Sequence, residues 1–173
     1  MLSLIGLFIG AFPLALAQDL PDDFTTGPII SDYGPVAEVA GAEAIPLDAE
    51  FRIAFDVAAP AEDGGLNRSL VSAARFINMH AAAGVHPEKI HLALVIHGRA
   101  VRDVADVAEG ASETNAPLIA ALIEQGVEIH VCGQSATYYG VTSEALLPGV
   151  RMSLSAMTAH AQLQQSGYTL NPF

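Results

Sequence analysis

KIHLALVIHG, residues 89–98, is a short apolar segment with no polar residue between Leu92 and Ile96. Its length and its aliphatic and β-branched residues predict a strand. Because polar and apolar positions do not alternate, we expect both faces of this strand to be covered. A strand of that kind is typical of a parallel sheet between helices, so residues 89–98 predict an inner strand of an α/β fold.

The segments on either side alternate between strand and helix patterns. Before this strand, FRIAFDVA (51–58) predicts another strand, and the apolar periodicity of residues 66–84 predicts a helix. After it, we expect a helix over 117–126 that begins near Pro117, strands over 127–133 and 150–155, a helix over 155–167 and a short last strand over 168–170. Such alternation predicts right-handed crossovers, and therefore a mainly parallel sheet of about five strands with helices on both faces.

Two segments of different composition precede the α/β domain, which we place at residues 51–173. Residues 1–17 are apolar and close with Ala15-Leu16-Ala17, which is typical of an export signal and its cleavage site. We therefore expect a periplasmic or secreted protein with no stable membrane association after cleavage. Residues 18–50 form an acidic N-terminal arm, rich in proline and glycine, that contains no Lys or Arg. This arm is either solvated or lies in part, through its apolar residues, against the domain or a neighbouring subunit.

Charge and motif content exclude several classes of function. The chain has 19 acidic and 7 basic residues in 173, for a formal net charge of −12. Such a chain repels phosphate backbones, so we expect no nucleic-acid partner. It contains no glycine-rich nucleotide motif and no Cys/His pattern typical of a metal site, so no cofactor and no metal are expected. With a single cysteine, the chain forms no internal disulfide.

That cysteine, Cys132, lies at the predicted carboxyl end of the third strand. In open parallel sheets, ligands bind beyond this edge, where the other predicted strands end at Asp56, His97 and Ser153–Ser155. Backbone N–H groups of the turn Gly133–Ser135 would stabilise a thiolate, and His97 on a neighbouring strand would accept its proton. The alternative is that Cys132 is a packed core residue, since unpaired cysteines are among the most buried residue types.

Five segments together resemble the DsrE/DsrF-like family, and within it an exported single-domain branch: FDVA, LNRSLVSAARFINMHAAAGV, LALVIHG, VEIHVCGQSATYYGV and LLPGVRMSLSAMTAHAQLQQSGYTLNPF. The resemblance covers roughly residues 51–173 and is strongest from Val127 onward. It implies a three-layer α/β/α sandwich that assembles into a homotrimer or homohexamer. It also implies a link to sulfur relay, in which a cysteine carries sulfur as a persulfide, and Cys132 matches the strand-end cysteine of the family.

The function that these observations favour is that of an exported sulfur carrier or thiol-dependent relay component. In it, Cys132 accepts the persulfide sulfur and His97 is its proton partner, while the donor or acceptor is another protein or a small sulfur species. The other residues expected to bind are Gly98, Gly133, Gln134, Ser135 and Ser155. The alternative function is a non-catalytic oligomeric module that binds a small ligand in the same cleft, with Cys132 only packed.

Overall fold

The structure is a computed structural model that describes residues 20–108 and 110–172. The strands in this part of the chain are β1 (Phe24–Thr25), β2 (Val36–Ala37), β3 (Phe51–Val57), β4 (Ile90–Ile96), β5 (Glu128–Cys132), β6 (Val150–Ser153) and β7 (Thr169–Asn171). The α-helices are α1 (Arg68–Ala82), α2 (Ser112–Glu124), α3 (Gly133–Tyr138) and α4 (Ala156–Gln165). None of these helices is both long and apolar enough to cross a membrane. The export signal expected over residues 1–17 lies outside the described residues.

A five-stranded parallel sheet in the order β6-β5-β4-β3-β7 forms the centre of the domain. The inner strand β4 pairs with β3 on one side and with β5 on the other. The predicted α/β fold with a mainly parallel sheet of about five strands is therefore confirmed. The short last strand is also present, over Thr169–Asn171.

Both faces of the sheet are covered, but unequally. The larger core contains Leu92, Leu94 and Ile96 of β4 together with apolar residues of α1 and α2. The smaller core lies under α4, where Ala93 and Val95 pack with Leu163 and its neighbours. Because alternate residues of β4 enter different cores, both sides of the strand must be apolar, which explains its uninterrupted apolar run.

Helix α2 begins earlier than the sequence predicts. Pro117 was expected near its start, but the helix runs from Ser112 and Pro117 lies inside it. Asn115, fully buried in the first turn, donates to Ala111 O at 2.8 Å and accepts from Asn67 N at 2.8 Å. Tertiary hydrogen bonds to the start of α1 therefore stabilise a polar first turn that the apolar periodicity does not reveal.

Part of the acidic arm packs against α1 through Asn78, which is fully buried in the middle of that helix. Asn78 Oδ1 accepts from Ile30 N at 2.8 Å and from Ile29 N at 3.2 Å. Its Nδ2 lies 2.9 Å from the carbonyl oxygens of Ile30 and Tyr33 and 3.1 Å from that of Gly34. The Asn78 side chain thus pairs with backbone groups of residues 29–34 much as a partner strand would. Farther along the arm, Val39 and Leu47 are exposed.

Candidate functional site

The carboxyl ends of β3 to β6 bring Asp56, His97, Cys132 and Ser153 to one edge of the sheet. Cys132 pairs with Ser153, and the pairing of Ile96 with Val131 places His97 beside Cys132 one residue farther along the strands. Side chains of strands alternate between the faces, and Ala54 and Val95 pack under α4. Asp56 and His97, two residues farther along their strands, therefore lie on the α4 side. His130 pairs with Val95, so Cys132 is on that side as well.

Cys132 is buried, with 6% of its surface exposed, and lies between the end of β5 and the start of α3. Burial raises the pKa of its thiol, but hydrogen bonds to the sulfur outweigh this effect and hold the pKa below its ordinary value. The donors are the hydroxyl and N–H of Ser135 and the N–H groups of Ala156 and Gln134. These groups stabilise the thiolate more than the thiol, because an anion gains more from hydrogen-bond donors.

Close packing between the turn after Cys132 and the end of β6 creates this arrangement. A Cβ at Gly133 would lie 2.7 Å from Ser153 O and 3.2 Å from Leu154 O, so only glycine allows the two backbones to approach this closely. The Gln134 side chain donates to Leu154 O at 3.4 Å. The carboxamide of Gln134 thus faces the loop before α4, and its contribution to the sulfur comes from the backbone.

The remaining residues that the sequence assigned to binding have structural partners at the same edge. Ser155 caps α4, where its Oγ accepts from Thr158 N at 3.0 Å, and this cap positions Ala156 N beside the sulfur. Gly98 adopts a positive φ of 57° and donates its N–H to Ser135 Oγ at 3.0 Å. Ser135 therefore accepts from Gly98 and donates to Cys132, which connects two neighbouring strand ends.

His97 lies beside Cys132 in the sheet, but its Nε2 hydrogen-bonds Asp56, 3.1 Å from each carboxylate oxygen. A second histidine, His160 of α4, approaches Asp56 Oδ1 with its Nε2 at 2.8 Å. Burial raises the pKa of Asp56, yet the hydrogen bonds and charges of the two histidines outweigh it and lower that pKa. Asp56 is therefore a carboxylate shared by two imidazoles at the edge where Cys132 lies.

Asp56 and His160 were not among the site residues expected from the sequence. The sequence indicated Asp56 only as the end of a strand, and His160 lies 104 residues after Asp56 in the chain. One signal was present for His160, since it shares a helical face with the apolar residues Ala156, Ala159 and Leu163 that contact the sheet. A histidine on the buried face of a helix needs a polar partner, and here that partner is Asp56.

A second cluster of polar side chains lies on β5 and β6, before Cys132 along the strand. His130 Nδ1 lies 3.2 Å from Ser153 Oγ, and Arg151 forms an ion pair with Glu128. Burial and the charge of Arg151 lower the pKa of His130, whereas Glu128 opposes that effect. In the part of the chain that the structure describes, no group of three or more His, Cys, Asp or Glu side chains is arranged to hold a metal ion.

Most of the chain matches a known protein family. The family model for the DsrE/DsrF-like family matches residues 52–172. No curated protein sequence matches the chain at a significant level. Among solved structures, the chain is similar to the protein of unknown function MTH1491 from Methanobacterium thermoautotrophicum, with 18% identity, a TM-score of 0.56, and coverage of 72% of this chain and 100% of the other. It is also similar to the ychN protein from E. coli, with 18% identity, a TM-score of 0.53, and coverage of 71% and 99%.

At 18% identity, these two structures establish a shared fold and nothing about chemistry. The family match extends from β3 to β7 and includes every strand of the central sheet. The protein therefore belongs to the DsrE/DsrF-like family.

Proposed function

We propose that this protein is an exported sulfur carrier in which Cys132 accepts a sulfane sulfur as a persulfide and passes it to another thiol. The observation that carries the proposal is the set of donors around the sulfur. The Ser135 hydroxyl and the N–H groups of Gln134, Ser135 and Ala156 all stabilise a negative charge there. The same donors would stabilise the anionic outer sulfur or the attacking thiolate, whichever occupies their centre.

The chemistry is a redox-neutral transfer of one sulfur atom. The Cys132 thiolate attacks the outer sulfur of a donor R–S–SH, a new S–S bond forms, and the S–S bond of the donor breaks. R–S⁻ leaves with the electron pair of the broken bond and takes up the proton that Cys132 lost. Discharge repeats the step in the opposite sense, with an acceptor thiolate attacking the outer sulfur and Cys132 leaving as the thiolate. A single cysteine in the chain is sufficient for this cycle, because the acceptor itself supplies the attacking thiol.

His97 is the proton partner in this proposal. The register of β4 and β5 brings His97 to the position beside Cys132 on the same face of the sheet, which supports a role in proton exchange with the thiol. The other expected residues act through their backbones or as supports. Ser135 donates to the sulfur, Gly98 and Ser155 hold Ser135 and Ala156 in place, and Gly133 and Gln134 form the turn.

Export, assembly and partners form part of the same proposal. The apolar residues 1–17 support export to the periplasm or beyond. Three large apolar residues near Cys132 are exposed: Tyr138 at the end of α3, Leu154 between β6 and α4, and Met157 in α4. Such residues are typical of protein contacts, which supports a homotrimer or homohexamer, or docking of a sulfur donor or acceptor.

One observation favours a second candidate function. With only 6% of its surface exposed, Cys132 is as inaccessible as a core residue. In the alternative, the protein is a non-catalytic oligomeric module that binds a small ligand at this edge, and Cys132 only packs between β5 and α4.

Intact-mass analysis separates the two candidates. The folded protein is incubated with glutathione persulfide, freed of excess reagent and weighed with and without a reductant. The sulfur-carrier function predicts a gain of one sulfur atom that a reductant removes and that Cys132→Ser abolishes. Ser166→Ala, at an exposed serine at the end of α4, is the control and should gain the sulfur normally. If the folded protein gains no sulfur while the protein in denaturant reacts, Cys132 is packed and the sulfur-carrier proposal is wrong.

A further inference from the structure

Asp56 joins two histidines that come from different layers of the domain. His97 follows β4 within the sheet, and His160 lies on α4 above it. Both reach Asp56 through Nε2, at 3.1 Å and 2.8 Å respectively. An ionised carboxylate only accepts hydrogen bonds, so each histidine must carry a proton on its Nε2. Any further proton that either ring gains or loses is therefore bound at Nδ1.

The two Nδ1 atoms are in different surroundings. His160 Nδ1 is buried, and no group among the described residues lies within hydrogen-bond distance of it. A proton bound there would be a buried charged donor without an acceptor, which costs far more than the unpaired neutral nitrogen. The His97 side chain is more open, at 29% exposed against 15% for His160. The Nδ1 atom of His160 is thus enclosed without a partner among the described residues, whereas the His97 ring is the more accessible of the two.

His97 and Cys132 are neighbours on the α4 side of the sheet, as the register of β4 and β5 requires. The titratable groups that face this part of the edge are Asp56 from β3, His160 from α4 and, beyond Ser153, His130 from β5. Of these, Asp56 is the group that hydrogen-bonds the His97 ring. It fixes the ring orientation and stabilises the imidazolium that forms when Nδ1 gains a proton.

We propose that Asp56 and His160 are positioning residues that make His97 the acid–base group for Cys132, an inference that rests on the proposed function. Asp56 holds the His97 ring by Nε2 and leaves Nδ1 to carry the proton. His160 acts as a fixed second donor that keeps Asp56 ionised and correctly oriented. We call this arrangement the relay: both histidines hydrogen-bond the Asp56 carboxylate, the His97 ring carries the exchanged proton, and the His160 ring holds the carboxylate in place.

The relay has its largest effect on the thiolate that leaves the sulfur donor when Cys132 attacks. When the Cys132 thiol loses its proton to His97 Nδ1, the thiolate attacks a sulfur of R–S–S–R′, and the bond between the two donor sulfurs breaks. The leaving R–S⁻ then takes the same proton from the His97 imidazolium and departs as R–S–H. Atoms, charges and electrons balance within this step, and no oxidant or reductant is consumed. A leaving thiolate that is stable without a proton gains little from His97, and a basic one gains much.

The experiment uses two disulfides that differ in this respect. Glutathione disulfide releases a basic thiolate, whereas dithiobis(nitrobenzoate) releases a thiolate that needs no proton. The full-length protein and the variants Asp56→Asn, His160→Leu and His160→Gln react with each reagent, and the rate of mixed-disulfide formation on Cys132 is measured. Gln offers an N–H near the position of His Nε2, so His160→Gln tests whether that one hydrogen bond is sufficient.

We expect Asp56→Asn to slow the reaction with glutathione disulfide at least roughly tenfold and to leave that with dithiobis(nitrobenzoate) within about twofold. His160→Leu should also slow the reaction with glutathione disulfide selectively, but by less. His160→Gln should react with glutathione disulfide at close to the wild-type rate. Equal slowing with both reagents would mean that these residues only support the fold, and unchanged rates would mean that they have no role; either result overturns the inference.

This outcome is independent of persulfide loading. If Asp56→Asn slows only the reaction with glutathione disulfide, but the wild-type protein gains no sulfur from glutathione persulfide, the relay stands and the sulfur-carrier function is wrong. If the wild-type protein gains the sulfur, but Asp56→Asn does not slow the reaction with glutathione disulfide more than that with dithiobis(nitrobenzoate), the function stands and the relay is wrong.

Discussion

Ser135 Oγ accepts the N–H of Gly98 at 3.0 Å and so connects the residue after His97 to the turn after Cys132. The same hydroxyl donates to the Cys132 sulfur. A hydroxyl has one proton, so accepting from Gly98 leaves that proton available for the sulfur. The ends of β4 and β5 therefore share a hydrogen-bond chain that orients a donor toward the thiol.

Replacing Ser135 with Ala should raise the pKa of the Cys132 thiol, because the thiolate loses a hydrogen bond from the hydroxyl. The rate of alkylation by iodoacetamide at neutral pH should fall roughly tenfold, as expected for one hydrogen bond to a charged group. The measurement is the alkylation rate as a function of pH, with Ser166→Ala as the matched control. An inflection at the wild-type pH in Ser135→Ala would show that the hydroxyl does not stabilise the thiolate.

Gly133→Ala tests the close approach of the two backbones beside the sulfur. Its Cβ would lie 2.7 Å from Ser153 O, so β6 or the turn must move, at a cost of roughly 1–3 kcal/mol. We expect both the unfolding free energy and the alkylation rate of Cys132 to change. Gly126→Ala is a control with open space around its Cβ but a φ of 80°, so it should destabilise the protein without affecting Cys132. Equal alkylation rates in the two variants would contradict the role of the Gly133 contact.

Asn78→Ala should detach the arm. The substitution leaves buried N–H and C=O groups of residues 29–34 without partners, which should lower the unfolding free energy by about 2–4 kcal/mol. Urea denaturation gives the loss, and limited proteolysis should detect new cleavage within residues 20–50 before the domain is digested. Met79→Ala, at the exposed neighbour, should cost no more than about 0.5 kcal/mol. An arm that resists protease in Asn78→Ala would mean that other contacts hold it.

His80 makes stability dependent on pH. Burial lowers the pKa of His80, and the Phe76 carbonyl, 2.8 Å from Nδ1, only partly opposes that effect. The unfolded chain binds a proton near the ordinary value of 6.5 while the folded chain does not, so stability is greatest above that pH and falls as the pH drops below it. His130, whose pKa is also lowered, acts in the same direction.

We therefore expect the unfolding free energy to decrease between pH 7 and about 5.5, and His80→Gln to reduce this decrease because one of the responsible groups is gone. His86→Gln, at an exposed histidine, is the control and should keep the wild-type dependence. Urea denaturation at several pH values gives the slope. A His80→Gln slope equal to that of the wild type would assign the dependence to other groups.

Sequence alone was sufficient for the order and type of the main elements. Apolar runs identify β3, β4 and β5, and the periodicity of residues 66–84 identifies α1, because burial of a strand or a helix face requires these patterns locally. It also placed Cys132, His97 and Ser155 at one edge of the sheet, since the carboxyl ends of parallel strands lie together. The start of α2 was wrong because its first turn depends on Asn115 and its bonds to α1, which no local pattern encodes.

Tertiary structure alone decided which groups meet at that edge. The carboxylate that contacts His97 belongs to a strand 41 residues earlier, and the second histidine belongs to a helix 104 residues after that carboxylate. Ala156 N reaches the Cys132 sulfur only because β6 pairs with β5 and α4 starts directly beyond it. Hydrogen bonds of this kind depend on ångström distances between distant segments, and those distances follow from strand register and helix packing, which periodicity in the chain does not specify.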